Sequence, residues 1–440
     1  MSQMDTLKET DPNSAVSVRE SYHSKEQLGR VVIMAHSFPP HNLIGARRPY
    51  HFAKYLPNFG FDVEVISAPC VGVLEGWNNV RRVPEQVAAR CSWTNTRRIL
   101  AAVQRYVLPY NCELEWAAYA IAAAAEVLVE HPGSILMTTS PPVATHIAAL
   151  ELKCRYGITW VADCRDPIRG NPFHDSLRAR AFDWTLERMV IAQADAVIAN
   201  TDTAQSALRQ HYPASSSKIH LIWNGYDPAY ALKAAPISTR DCKNMAHVGS
   251  LYGGRHPGIL MKAVERLIGN GLLRASDLRI RLIGSIELDQ PWIRESGFER
   301  LRKLGCVEYT ENFLPQQQAE AEMARADYLL LVDLNQSGRS LQVPGKLFEY
   351  IQVGRPILAL TVKGSPVERI LSKSGVAHEC LHPSDSDEET DQKLQRFLLM
   401  PSTPAEPSVW FREHFDASQQ TRTLASLLQA ALRNRGHTAQ

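Results

Sequence analysis

The sequence predicts an α/β protein built on two open, parallel sheets. Three observations predict it. Short runs rich in Val, Ile and Leu recur along the chain without strict alternation, as strands buried on both faces do. Stretches of helical length separate most of them. The rhythm fades near residues 225–242 and then starts again, so the 440 residues divide into two similar halves.

The elements follow in order. The first 28 residues are polar, rich in Ser and Glu and without an apolar run, and read as a disordered leader instead of a secretory signal. Strands are then expected at VVIMAH (31–36), FDVEVIS (61–67), SILMTT (134–139), ITWVA (158–162), ADAVIAN (194–200) and IHLIW (219–223). The Ala-rich segment Ala117 to Ala125, bounded by Glu115 and Glu126, falls short of the roughly 18 apolar residues of a membrane span and reads as a soluble helix. NGYDPAYALKAAPISTRD (224–241) is turn-rich and marks the boundary. The second half repeats the pattern at MAHVGS (245–250), LRIRLIG (278–284), CVEY (306–309), YLLLVDL (328–334), ILALTV (357–362) and GVAHE (375–379). An acidic loop, PSDSDEETD (383–391), precedes a helix expected over 391–399. After the proline-rich PSTPAEP (401–407) come VWFREHF (409–415) and an amphipathic helix over 417–434, expected to pack back on the first domain. The plan is a leader (1–28), a Rossmann-like domain (29–228), a second one (240–405) and a returning C-terminal helix (406–440), with the two domains facing each other across a cleft.

Composition narrows the function. Apolar residues make up 45% and charged residues 21%, which suits sizeable cores. A net charge of +2 argues against bulk nucleic-acid binding. Eight cysteines occur without a CxxC pair, a pattern of reduced thiols in a cytosolic protein and not of a disulfide framework or a zinc site. The 15 histidines show no zinc-ligand spacing, and the DSD at 385–387 lies far from any strand end, so no metal is expected.

Four stretches end strands where such sheets bind ligands. In QVPGKLFEYIQVGRPILAL (342–360), Pro344 suits a first helical turn and Gly354 the residue after the last. Leu347, Phe348 and Ile351 share the core face, while Lys346 and Glu349 share the other. Free N–H groups, the positive helix end and Lys346 suit a diphosphate. Glu349 suits a ribose diol. The plainer reading is a solvated pair worth about a few tenths of a kcal/mol. In AHSFPPHNLIGARRPYHFAKYL (35–56), Gly45 opens a helix carrying Arg47 and Arg48, residues that fork onto phosphates or form an ordinary basic turn. In HVGSLYGGRHPGILMKAVERL (247–267), Gly249, Ser250 and Arg255 can cradle an anion, without the GxGxxG spacing of a dinucleotide site. VADCRDP (161–167) places Asp163, Arg165 and Asp166 at a strand end, as functional groups or as a structural ion-pair cluster, beside TTSPP (138–142) with Ser140. His36 and His247 end strands at the same level.

Together, HSFPP…GARRPYHFAKYL, TSPP, DCRDP, NGYD (224–227), HVGSLYGGR and PGKLFEY…GRPILAL resemble the GT-B glycosyltransferases of retaining family 4, in the branch that assembles bacterial exopolysaccharide and O-antigen. The resemblance covers roughly residues 30–435. It implies transfer of a sugar from a nucleotide-diphosphate sugar to an acceptor hydroxyl with retention and without a metal. It also implies site roles. Gly45, Gly249, Ser250, Arg255, Pro344, Gly345, Lys346, Leu347 and Glu349 would bind the donor. Asp163, Arg165 and Asp166 would lie by the reacting sugar, and His36, Arg48 and Ser140 on the acceptor side. Two positions depart from the family pattern. Leu341 stands where many members carry a first glutamate, and Ser250 where they carry an arginine. The first departure leaves open a degenerate nucleotide-sugar-binding protein, and the fold also hosts nucleotide-sugar epimerases.

Between Val71 and Tyr110 lie six arginines (81, 82, 90, 97, 98, 105), two acids, and Trp77, Trp93, Tyr106 and Tyr110. Basic and aromatic residues so interleaved suit an anionic membrane surface, and read otherwise as a solvated arginine-rich hairpin. The expected setting is cytoplasmic, peripheral on the inner membrane face, with a sugar or lipid-linked saccharide as acceptor.

Overall fold

The apolar runs become strands, and every pairing between them is parallel. The protein is represented by a computed structural model. It describes residues 28–438 except 42, 73, 86–98, 100–102, 104–106, 111, 172, 231, 237–241, 288–289, 312–313 and 335–339, with side chains to 433. The leader and much of the 71–110 stretch therefore lie outside the described residues.

The first sheet contains β1 (Gly29–Met34), β2 (Phe61–Ser67), β3 (Val80–Arg82), β4 (Ile135–Ser140), β5 (Thr159–Cys164), β6 (Ala196–Ala199) and β7 (Ile219–Leu221), in the order β3-β2-β1-β4-β5-β6-β7. Its helices are α1 (Ile44–Tyr55), α2 (Leu114–Glu130), α3 (Ala144–Tyr156), α4 (Leu177–Gln193) and α5 (Asp202–His211). The second sheet contains β8 (Lys243–Val248), β9 (Leu278–Ile283), β10 (Val307–Thr310), β11 (Tyr328–Val332), β12 (Ile357–Leu360) and β13 (His378–Leu381), in the order β10-β9-β8-β11-β12-β13. With it go α6 (Gly258–Gly269), α7 (Pro291–Glu295), α8 (Phe298–Lys303), α9 (Gln316–Arg325), α10 (Lys346–Val353), α11 (Pro366–Lys373) and α12 (Asp387–Leu398). Strand order reverses beside β1 in one sheet and beside β8 in the other. Each reversal opens a crevice at the strand C-termini, and the two crevices face each other.

Three local features differ from the sequence expectation. β13 runs later than the expected 375–379 and ends at Leu381, so the DSD follows a strand end closely after all. β3 is an edge strand too short and too basic to show periodicity. α12 starts at Asp387, inside the acidic loop, because Ser386 and Glu389 form a reciprocal capping box and the first-turn acids match the helix dipole. Of the DSD acids, Asp385 binds Lys393 at 2.6 Å and Asp387 pairs with Arg266 at 2.9 Å.

Small residues set the first core. Ala117, Ala120 and Ala124 of α2 are buried beside Trp116 and Trp160, whose rings have no exposed surface. The C-terminal segment joins the halves. Phe411 and Phe415 of α13 (Val409–Phe415) are buried with the second sheet's residues. Leu424, Ala425 and Leu428 of α14 (Ala417–Thr438) are buried with the first sheet's. Each such side chain contributes roughly 1.5–3 kcal/mol when fully buried, Ala425 less. Where the chain crosses back it pairs with the boundary segment. Tyr226 N–H donates to the Phe415 carbonyl and Ala417 N–H to the Tyr226 carbonyl, both at 2.9 Å. A Cβ on Gly225 would strike the Phe415 carbonyl, so this crossing needs glycine.

Candidate active site

On the second-domain wall, β8 ends at Val248 and the chain turns at Gly249 with φ +131. A side chain at Gly249 would overlap Lys346 Nζ, so the glycine makes room for the amine. Gly345 precedes the first turn of α10, with Pro344 one residue earlier, and Leu347, Phe348 and Ile351 fill the core as the spacing predicts. Val248 N–H donates to Tyr350 Oη at 3.0 Å, tying helix to strand end. Lys346 Nζ lies 3.3 Å from His247 Nε2, while His247 Nδ1 faces the Leu330 carbonyl at 2.9 Å. Burial, then Lys346, pushes the His247 pKa well below its ordinary value, so the ring is neutral. Burial, then Arg255, pushes Lys346 down to about 7, against an upward pull from Glu349. Arg255 stacks on Tyr252 with its guanidinium carbon 5.1 Å from the ring centre, and its Nε is buried without a partner. The wall therefore holds a lysine near neutrality and an arginine with unused donor capacity.

The first-domain wall differs. Arg48 forks onto Asp163 at 2.8–3.1 Å and donates to the Ile222 and Trp223 carbonyls at 2.9 and 2.7 Å. Thr139 Oγ1 also donates to Asp163, at 2.8 Å. Asp163 has no exposed surface, so its charge is met wholly inside the protein. Arg165 donates to the carbonyls of Gly45, Ser140 and Pro141, which fixes the backbone at the start of α1 against the TSPP turn. A Cβ on Gly45 would collide with that guanidinium. Asp166 faces the cleft, accepts from Gln342 Nε2 at 2.8 Å, and has its pKa raised by burial against Arg165 and Arg255.

Between the walls lies a cleft of about 1090 Å³. It is lined by Gly45, Arg48, Arg165, Asp166, Gly249, Ser250, Arg255, Pro344, Gly345, Lys346 and Glu349, which the sequence had pointed to separately. The other candidates stand back from it. Asp163 lies beneath the floor, and Leu347 is in the core. Ser140 is buried with its Oγ unpaired. His36 packs edge-on against Trp116 at 5.0 Å, with Glu85 3.6 Å from Nε2.

Contacts also cross the cleft. Arg47 pairs with Glu349, Ile44 touches Gly345, and Thr201 Oγ1 donates to the Leu341 carbonyl at 2.7 Å. Two residues of this site escaped the sequence reading. Gln342 gave no signal beyond preceding PGK. Asp227, held by Lys54 at 2.6 Å and Tyr55 at 2.5 Å, was visible only as part of NGYD. Among the described residues no group of three or more His, Cys, Asp or Glu is placed to hold a metal ion.

Residues 45–230 match the model of Glycosyltransferase Family 4. The chain is a GT-B fold protein related to that family. Its resemblance to solved GT-B structures spans nearly the whole chain. Anabaena HepE in complex with UDP-glucose aligns with a TM-score of 0.59 at 15% identity, covering 91% of this chain and 99% of that one. The catalytic domain of starch synthase IV from Arabidopsis thaliana, bound to ADP and acarbose, aligns with a TM-score of 0.58 at 12% identity, covering 93% and 100%. Among curated proteins, a D-inositol 3-phosphate glycosyltransferase of Saccharomonospora viridis is 27% identical over 258 residues, 55% of this chain and 56% of that protein. The chain thus spans little more than half the length of the curated relatives it matches. No helix among the described residues is long and apolar enough to cross a membrane.

Proposed function

We propose that this GT-B protein is a retaining glycosyltransferase that uses a nucleotide-diphosphate sugar and acts in cell-surface polysaccharide or glycolipid assembly at the cytoplasmic membrane face. The observation that carries this reading is the pairing on one wall of Lys346, made room for by Gly249, with Arg255, whose Nε lacks a partner. Two cations and the N-terminus of α10 converge where a diphosphate would lie. The bound UDP-glucose of HepE supports a donor of this class.

In the transfer, the bond from the anomeric carbon to the diphosphate oxygen breaks and a bond to the acceptor oxygen forms on the same face. The acceptor proton passes to the departing phosphate. The residues' task is to stabilise charge growing on that phosphate. Lys346 and Arg255 do so through charge-assisted hydrogen bonds. Glu349 takes the ribose diol and releases Arg47. Gly45, held by Arg165, lets the sugar and phosphate approach the backbone. Asp166, which lines the cleft, would bind a sugar hydroxyl, a role open because position 341 carries leucine. The basic and aromatic stretch 71–110 would bring a lipid-linked acceptor to the cleft.

The test is thermal-shift titration with UDP, GDP, ADP and their sugar conjugates without metal. Ligand at 100 times its Kd adds about 2.7 kcal/mol. One responder, lost in Glu349→Ala, and turnover of its sugar conjugate support transfer. Binding with no turnover across acceptors assigns a nucleotide-sugar-binding protein, the reading that Leu341 favours. No response to any nucleotide overturns both.

A further inference from the structure

We propose that the outer face of α4 is a docking surface for an anionic lipid bilayer, and that it holds the cleft mouth against the membrane. Leu177, Arg180, Ala181, Trp184 and Arg188 fall within about 100° of one another around the helix. All five are exposed, Leu177 at 85% and Trp184 at 44%. Met189, 47% exposed, flanks the stripe. Arg188 lies over the Trp184 ring, 5.5 Å from its centre.

Both acids of the helix turn inward. Asp183 is buried against Tyr110 and His174 at 2.5 and 2.7 Å. Glu187 is buried against the Arg169 N–H and Tyr212 Oη at 2.9 and 3.0 Å. The outward face of α4 is therefore cationic and apolar, with the exposed acids Asp175 and Asp195 just beyond its two ends. Arg180 stands in the N-terminal part of the helix, whose first turn carries no acid. A cation is unfavourable there, so helix stability does not explain it.

Two neighbours extend the face. Phe173, four residues before the helix, is 49% exposed, lines the cleft and stacks on Tyr252 at 6.0 Å, so the stripe begins at the cleft rim. Tyr110, which ends the basic stretch 71–110, stacks on His174 at 3.8 Å and meets Phe182 of α4 edge-on at 5.5 Å. Tyr110, the described end of that stretch, thus lies beside the same helix. A face that mixes Trp, Leu and Met with Arg suits the interface of an anionic bilayer, where apolar parts enter the acyl boundary and guanidinium groups stay with the phosphates.

The inference does not rest on the donor reading, but it gives the lipid-linked acceptor a route to the cleft. The experiment is co-sedimentation of the full chain with vesicles of phosphatidylcholine alone and of a two-to-one mixture with phosphatidylglycerol. The wild type is expected to sediment with the mixture only, less so as salt rises. Arg180→Glu with Arg188→Glu is expected to weaken this about tenfold or more. Lys262→Glu with Arg294→Glu, exposed cations of the second domain, should leave it unchanged. Brominated acyl chains should quench tryptophan fluorescence in the wild type and less in Trp184→Phe. Nucleotide thermal shifts should be equal in all variants, which separates this result from failure of the donor reading. The proposal is overturned if the wild type ignores anionic vesicles, if the α4 reversal binds like the wild type, or if the second-domain reversal weakens binding as much. Retention on polyglutamate without vesicle binding would assign the face to an acidic protein instead.

Discussion

The two walls of the cleft carry similar cations in opposite states. On the first-domain wall, Arg48 and Arg165 spend their donors on Asp163 and on backbone carbonyls. On the second-domain wall, Lys346 Nζ lies beside a neutral histidine, and Arg255 keeps a buried Nε unpaired. A cation whose hydrogen bonds are met inside the protein is part of the scaffold. One held close to its discharge point, with donors to spare, is built for a ligand.

The largest expected effect would break the comparison on the scaffold side. Arg48→Ala leaves Asp163 buried and uncompensated, and should cost about 3–5 kcal/mol in urea unfolding. Arg48→Met with Asp163→Leu should recover much of this. If Arg48→Ala is neutral for stability but abolishes donor binding, the two walls have been assigned the wrong way round.

Lys346→Met tests the ligand side. It should leave stability nearly unchanged or raised, because a desolvated amine is removed. It should weaken nucleotide-diphosphate binding by about 1.5–3 kcal/mol, the range for a hydrogen bond to a charged group, read by calorimetry.

Next comes the pH dependence of the same amine. The Lys346 pKa is lowered on folding from 10.5 to about 7. Between these values the unfolded chain holds a proton that the folded chain lacks. This group therefore makes stability rise with pH from about 7 to about 10.5, and Lys346→Met should flatten that rise. A diphosphate recharges the amine, so nucleotide binding above pH 7 should take up protons and weaken as pH increases. Calorimetry in buffers of different ionisation enthalpy measures the uptake.

The smallest effect concerns the link between the walls. Arg47→Ala removes a partly exposed ion pair with Glu349 and should alter stability by less than about 1 kcal/mol. Nucleotide affinity should stay level or rise slightly, since the ribose no longer displaces Arg47. A large loss would make Arg47 a donor ligand.

Much of the architecture was legible because its signals are local. Runs such as YLLLV and ILAL announce buried strands, and Gly354 ends α10 with φ +77. β3 was not legible, since three half-buried residues at a sheet edge carry no periodicity. The start of α12 could have been read from Ser386 and Glu389, whose spacing is that of a capping box. In the site, residue types and strand ends pointed to the cleft. They did not separate Asp163, sealed under the floor, from Asp166, which lines it three residues later.

By itself the sequence determined two parallel sheets, the helices between them and which strand ends carry charge. Period, capping and turn chemistry act over a few residues and survive in the linear chain. Only the tertiary structure decided which charges remain available to a ligand. That depends on partners brought from afar, as when Arg48 meets Asp163 and the carbonyl of Ile222, while Arg255 is left with an unmet donor in the wall of the cleft.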